Sequence, residues 1–343
     1  MDRWIAAVTQ HCSCIHLILA AITIWLIAIW IAYPDRMGQN NNRYILITGC
    51  DSGFGNLLAK RLDLIGCHVF AACLTQQGVT QLAQSTSSRV KTFMMDVTQQ
   101  QDIENAYSMI KATLPEDRGI WAVVNNAGIL RTGLIDWMPM EEYKKVADVN
   151  LWGMVAVTKR FIPMVIREQG RFVNVVSLSG VLPYEYMGAY TISKFAAEGF
   201  TGVLRREMAP FNVQVSSIKP GVFRSSLVSP QPLLQNVQKM YENLPPETLE
   251  NYDEEFISAV PTTSTTLHDF GSSKLYLVIN AIEDAILSKR PKADYYIGLD
   301  AFVLSTLTHL PSLLTDFICK LLIRPVLPSG RKRNNTHSAA DSK

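Results

Sequence analysis

An α/β fold with one doubly wound parallel sheet in a single domain is predicted for this chain, with one membrane-crossing helix ahead of it. Three observations predict it. A glycine-rich turn joins the first short apolar run to the first helical run; β-type runs then alternate with helical stretches from Tyr44 to about Gly298; and Ile15 to Tyr33 is nineteen residues without Asp, Glu, Lys or Arg.

Composition agrees with a globule that touches lipid. The 343 residues are 48% hydrophobic and 18% charged, and the mean hydropathy is slightly positive. Net charge is only +2, so no basic field points to nucleic acid. The one basic run, Arg331-Lys332-Arg333, reads as a solvated tail, with a lipid-headgroup contact as the alternative. The six cysteines show no zinc spacing, so no metal is expected. Cys50, Cys67 and Cys73 read as small buried residues, and Cys12 and Cys14 as free thiols rather than acylation sites.

Residues 1–36 read as an uncleaved signal-anchor. The apolar stretch is long enough to span a bilayer, His16 sits at its edge, Trp30 and Tyr33 suit the interface, and no small-residue cleavage site precedes Pro34-Asp35-Arg36. A buried helix of the soluble domain is the alternative. Residues 37–43 form a polar linker.

The globular domain then runs over 44–300. Tyr44 to Thr48 is a strand, Gly49-Cys50-Asp51-Ser52-Gly53-Phe54-Gly55 a turn, and the helix that follows reaches about Ile65. Glycines let such a turn lie close to a pyrophosphate, and the free N–H groups of the helix start supply donors. Strands are expected at His68 to Cys73, Val90 to Met95, Trp121 to Val124, Phe172 to Ser177, Val213 to Ile218 and Tyr295 to Gly298. Between them, helices are expected at Gln99 to Thr113, Glu142 to Arg167 with a bend at Pro163, Tyr190 to Met208 and Leu275 to Ser288. Residues 226–274 break the alternation with five prolines, a helix from Leu233 to Asn243 and the polar Thr262-Thr263-Ser264-Thr265-Thr266, and are expected to cover a pocket. Residues 301–328 read as a membrane-lying or pocket-lining apolar element, and 329–343 as a disordered tail.

Candidate chemistry gathers at the carboxyl edge of the sheet. Tyr190 and Lys194 are four apart on one helix face, so a phenol and an ammonium can share a pocket, and the cation favours the phenolate. Ser177 is delivered to the same edge by the fifth strand. Asp96, at the end of the third strand, can accept from an adenine amino group. Past the second strand, where an acid usually holds ribose hydroxyls, the chain reads Ala72-Cys73-Leu74-Thr75. No Lys or Arg occurs between His68 and Arg89, which favours NAD over NADP.

Four signatures together, Thr48-Gly49-(x)3-Gly53-x-Gly55, Asn125-Asn126-Ala127-Gly128, Ser177 and Tyr190-(x)3-Lys194, resemble the short-chain dehydrogenase/reductase family. Thr-Gly-Cys-Asp-Ser-Gly-Phe-Gly, Ala-Ala-Cys-Leu-Thr and the N-terminal apolar stretch are similar to its membrane-associated branch of retinol and 17β-hydroxysteroid dehydrogenases. Asp148-Val-Asn-Leu-Trp-Gly153, Lys239-Met-Tyr-Glu-Asn-Leu-Pro245 and Thr308-His-Leu-Pro311 are similar to D-β-hydroxybutyrate dehydrogenase. The resemblance implies a Rossmann-like sheet, with Tyr190 as general acid/base, Lys194 lowering its pKa and holding the nicotinamide ribose, Ser177 bonding the substrate oxygen and Asn150 supporting a proton relay. It implies a cofactor site of Thr48, Gly49, Ser52, Gly53, Phe54 and Gly55 at the phosphates, Cys73, Asp96 and Val97 at the adenosine, and Asn125, Ala127, Gly128, Pro220, Gly221 and Ser225 at the nicotinamide side. Lys219 replaces an acid common in the branch, and Ser179-Gly180-Val181 lacks its usual Gly-Arg pair.

The expected activity is hydride transfer between NAD and a lipophilic alcohol, a steroid or retinoid, and its ketone or aldehyde. Interconversion of 3-hydroxybutyrate and acetoacetate is the alternative; it needs a cation for the carboxylate, for which Lys219, Arg224 or His268 is available. A non-catalytic cofactor-bound scaffold is the second. Expected partners are the small-molecule alcohol and membrane lipid, with no nucleic acid and with homo-oligomerisation left open. The expected location is the endoplasmic reticulum membrane, with a mitochondrial membrane as the alternative.

Overall fold

Short runs of small and β-branched residues, buried on both faces, form the sheet. The computed structural model describes residues 42–323 together with Ile22, Thr23 and Trp25. Its strands are β1 (Tyr44–Thr48), β2 (His68–Cys73), β3 (Val90–Met94), β4 (Ala122–Asn125), β5 (Arg171–Val175), β6 (Gln214–Pro220) and β7 (Asp294–Ile297). All pair in parallel, in the order β3-β2-β1-β4-β5-β6-β7. The strand limits expected from sequence fall within two residues of these ends.

Alternation within each strand builds two cores. Ile45, Ile47, Val69, Val124 and Val173 pack on one face with Leu58 and Leu62 of α1 (Gly53–Leu64) and Ile282 and Ile286 of a later helix, residues 276–287. Leu46, Phe70, Val123 and Phe172 pack on the other face with Ile103 and Ile110 and with Val157 and Phe161. The chain moves outward from β1 through β2 to β3 and then returns to pair β4 with β1. That reversal opens a crevice at the carboxyl ends of β1 and β4, where doubly wound sheets bind ligands.

The remaining helices, in order, are α2 (Gln76–Gln84), α3 (Gln100–Thr113), α4 (Met140–Ala147), α5 (Met154–Arg167), α6 (Gly188–Met208), α7 (Pro230–Glu242), α8 (Pro246–Leu249), α9 (Glu254–Phe270), α10 (Tyr276–Leu287), α11 (Leu299–Leu307) and α12 (Ser312–Ile323). Two differences from expectation stand out. The single helix expected over 142–167 is divided, because Asp148–Gly153 between α4 and α5 is a π-helical turn. Within 226–274, α9 runs straight through Pro261 and the Thr/Ser series, where low helix propensity predicts none. Tertiary packing overrides propensity there: Asp253 caps the helix through Phe256 N, and Val260 packs with Val237 and Met240 of α7.

Helices α11 and α12 place Leu299, Phe302, Leu313, Phe317 and Leu321 in the open, while Ala301 and Ser305 turn inward. Among the described residues one stretch is long and apolar enough to cross a membrane, Met140–Arg167, and it lies against the sheet with 44% of its apolar window buried. The signal-anchor reading of residues 1–36, apart from three helical positions, and the tail reading of 329–343 fall outside the described residues.

Candidate active site

The turn after β1 is shaped by glycine. Gly49 and Gly53 have φ of 71° and 60°, and a Cβ on Gly55 would overlap the Gly49 carbonyl. Ser52 caps α1 without a side-chain bond to its N–H groups, and the first turn holds no acid. The positive end of α1 is therefore free for an anion. Ser52 Oγ lies 2.8 Å from Ser226 Oγ, tying this turn to the loop after β6.

Thr48 and Asn126 fasten the two strand ends at the crevice. Thr48 Oγ1 accepts from Asn126 N and Ala127 N, both at 3.0 Å, and Asn126 Nδ2 donates to Thr48 O at 2.8 Å and Gly49 O at 3.0 Å. Asn126, with no role expected from sequence, does this work. Asn125 turns the other way: its Nδ2 donates to Thr158 Oγ1 and Asn174 Oδ1 in the core. Cys73 is likewise wholly buried. Strand alternation points both side chains into the core, so neither side chain lines the cavity.

Ser177 follows β5, and its Oγ accepts from Ser179 N at 3.1 Å. Tyr190 and Lys194 sit one turn apart on α6, both buried, with Lys194 Nζ 5.6 Å from the Tyr190 ring centre and donating to Val175 O at 2.9 Å. Burial pushes the Tyr190 phenol up to about 12, with a hydrogen bond to Ser177 acting against it. Burial also pushes the Lys194 ammonium down to about 8. Burial thus acts in opposite directions on the two groups, raising the phenol and lowering the ammonium.

Asn150 occupies the π-helical turn and is fully buried. Its Oδ1 accepts from Ile129 N at 2.8 Å, and its Nδ2 donates to Ile129 O at 2.9 Å and Ser193 Oγ at 3.0 Å. A Cβ on Gly128 would lie 3.3 Å from Asn150 Oδ1 and 3.7 Å from Lys194 Nζ, so Gly128 is the point where these groups meet. A wide π turn at a functional position is a recurrent device for presenting such a side chain.

A cavity of about 1920 Å³ connects these parts. Its walls include Gly49, Ser52, Gly53 and Phe54; Asp96 and Val97; Ala127 and Gly128; Ser177, Tyr190 and Lys194; and Pro220, Gly221 and Ser225. Tyr184, Tyr186, Met187, Leu227, Val228 and Val260 give it an apolar section. The volume exceeds the roughly 300–1,000 Å³ of a single small-molecule site, which suits a dinucleotide with a substrate beside it. The open end of α1 and the two positive-φ glycines fit the pyrophosphate of NAD or NADP. Asp300 of α11 was unforeseen: its Oδ2 accepts from Val222 N at 2.8 Å and its carboxylate presses on Gly221 and Gly298, fixing the loop after β6.

The three cations considered for a substrate carboxylate are engaged elsewhere. Lys219 is buried between Asp294 at 2.5 Å and Glu198 at 2.9 Å. Arg224 donates to the His268 and Asp269 carbonyls, and His268 Nδ1 lies 3.5 Å from Asp269. None of the three lines the large cavity.

The short chain dehydrogenase family model matches residues 43–233. The chain is 39% identical over 299 residues to mouse short-chain dehydrogenase/reductase family 9C member 7, covering 86% of this chain and 95% of that protein. It is 36% identical over 301 residues to mouse retinol dehydrogenase 7 and 37% identical over 301 residues to human 17-beta-hydroxysteroid dehydrogenase type 6, covering in each case 87% of this chain and 94% of the relative. A short-chain dehydrogenase from Streptomyces avermitilis shares the fold, with a TM-score of 0.64 at 22% identity over 82% of this chain and 97% of that one. With the glycine turn, the Asn-Asn-Ala-Gly corner and the Ser177, Tyr190, Lys194 group on one cavity, these matches show that the chain belongs to the short-chain dehydrogenase/reductase family.

Proposed function

We propose that this oxidoreductase is a membrane-anchored, NAD-linked dehydrogenase that interconverts a lipophilic alcohol, a steroid or retinoid, with its carbonyl. One observation carries the choice of substrate: the cavity section beside Tyr190 is apolar, and Lys219, Arg224 and His268 are committed away from it. Of the cations that do line the cavity, Arg131 is paired with Glu142 at 2.7 Å, Lys194 donates to Val175 O at 2.9 Å, and Lys144, Lys145 and Lys274 are exposed to solvent. The apolar section beside Tyr190 favours an apolar substrate body over the carboxylate of a small hydroxy acid, which is costly to desolvate there. The names of the retinol and 17-beta-hydroxysteroid relatives agree with this reading. The exposed apolar side chains of α11 and α12, beside the cavity-lining Leu299 and Leu304, support delivery of the alcohol from lipid. The proposed location is the endoplasmic reticulum membrane.

The bound nicotinamide would supply the hydride acceptor or donor. With its pKa near 12, Tyr190 holds its proton at neutral pH and is set to give it to a carbonyl oxygen. Toward oxidation Tyr190 must first lose its proton to become the phenolate, which the Lys194 ammonium stabilises, and the phenolate oxygen then takes the alcohol proton. Ser177 Oγ donates to the substrate oxygen as charge develops there. Asn150 keeps Ile129 and Ser193 in place around Lys194.

Reduction of NAD by one detergent preparation, offered a 17β-hydroxysteroid, retinol and 3-hydroxybutyrate in turn, tests the assignment. Turnover of a lipophilic alcohol is expected; faster turnover of 3-hydroxybutyrate than of both others would overturn it.

A further inference from the structure

Past β2, where a dinucleotide-binding sheet meets the adenosine ribose, the chain carries Leu74 and Thr75 and no acid. A carboxylate nevertheless stands there, supplied by the glycine turn. Asp51 Oδ2 accepts from Leu74 N at 2.6 Å, and Oδ1 accepts from Thr75 N at 3.0 Å and Thr75 Oγ1 at 2.6 Å. Gly78, in the first turn of α2, approaches so closely that a Cβ would overlap Asp51 Oδ1. The position of this carboxylate is therefore fixed from two sides, and Asp51, Leu74, Thr75 and Gly78 all line the large cavity.

We infer that Asp51 is the residue that selects NAD over NADP, its carboxylate standing in for the acid that β2 lacks. An ionised carboxylate has about four acceptor positions, and three are occupied by Leu74 and Thr75. The remaining capacity suits a donor, which a ribose 2′-hydroxyl is and a 2′-phosphate is not. A 2′-phosphate would also bring about two negative charges next to Asp51. No Lys or Arg lines the cavity from Gly49 through Thr98 to offset them. Lys60 and Arg224 face a separate hollow of about 360 Å³ that Asp51 also borders, and Arg224 is held by two carbonyls. The inference rests on the reading of the chain as a dinucleotide-dependent dehydrogenase.

Direct binding separates the two ideas. Dissociation constants for NADH and NADPH are measured by nicotinamide and tryptophan fluorescence on the full-length protein in detergent, for wild type, Asp51→Asn and Leu74→Arg. AMP and adenosine 2′,5′-bisphosphate serve as competitors. Wild type is expected to prefer NADH by at least tenfold. Asp51→Asn is expected to narrow that ratio by tenfold or more, chiefly through tighter NADPH, and to shift the two competitors in the same sense. Leu74→Arg keeps the backbone donor to Asp51 and is expected to move the ratio the same way. Asp51→Asn weakening both dinucleotides equally, with Leu74→Arg leaving the ratio unchanged, would overturn the inference and make Asp51 a brace for β2. Wild type that binds neither dinucleotide overturns the dehydrogenase reading itself, and the inference with it.

Discussion

The two sides of the cavity are held by different forces. On the side built from the ends of β1, β4 and β5, polar groups are partnered one by one: Thr48 with Asn126, Asn150 with Ile129 and Ser193, Lys194 with Val175. On the side built from 226–274 and α11, contact is chiefly apolar, with Leu233, Val237, Met240 and Val260 buried among aromatic neighbours. Hydrogen bonds fix geometry and identity together, since a partner lost leaves a buried group unsatisfied. Apolar packing fixes volume and tolerates exchange. Chemistry is thus specified on one side and substrate shape on the other.

Substitutions on the two sides should separate sharply. Tyr190→Phe is expected to lower kcat by about 10³-fold, the size typical of a lost acid/base group, while NADH binding by fluorescence stays within a few-fold. Retained turnover would remove Tyr190 from the proton path. Asn150→Ala strands the half-buried Ile129 N–H and carbonyl and should destabilise the fold by about 2 kcal/mol, read as a lower denaturant midpoint.

The buried lysine gives the ordered side a pH signature. Lys194 is lowered from 10.5 to about 8 in the folded chain. Between these values the unfolded chain binds more protons, so stability rises with pH across that window and is lost as pH falls back toward 8. Wild type should gain on Lys194→Met by up to about 1.4 kcal/mol per pH unit there, and parallel stability curves would show that Lys194 is not so shifted. Smallest of all, Val260→Ala on the apolar side should raise KM for a lipophilic alcohol by about tenfold or less with kcat unchanged. A kcat loss equal to that of Tyr190→Phe would erase the contrast.

The same division explains what could be read from the amino acids. Strands and the glycine turn carry local signals, so β1 to β7 and Ser177, Tyr190 and Lys194 were accessible from pattern and spacing. Asp51 was not, because its partners Leu74 and Thr75 lie 23 and 24 residues away and no local rule joins them. Nor was the inward turn of Asn125 and Cys73, which depends on where each strand ends relative to its alternation. Helix α9 was hidden because threonine and proline argue against a helix that only α7, packed against it, makes stable.

The π-helical turn at Asp148–Gly153 also sets how this chain can change length. An α-helix turns about 100° per residue, so deleting one residue there would restore regular helix and rotate α4 against α5. Either Asn150 would leave Ile129, or Val157 and Phe161 would leave the sheet. Shortening between α4 and α5 is therefore closed to this enzyme by geometry, whereas the long connection after β6 remains free to grow or shrink as new alcohols demand.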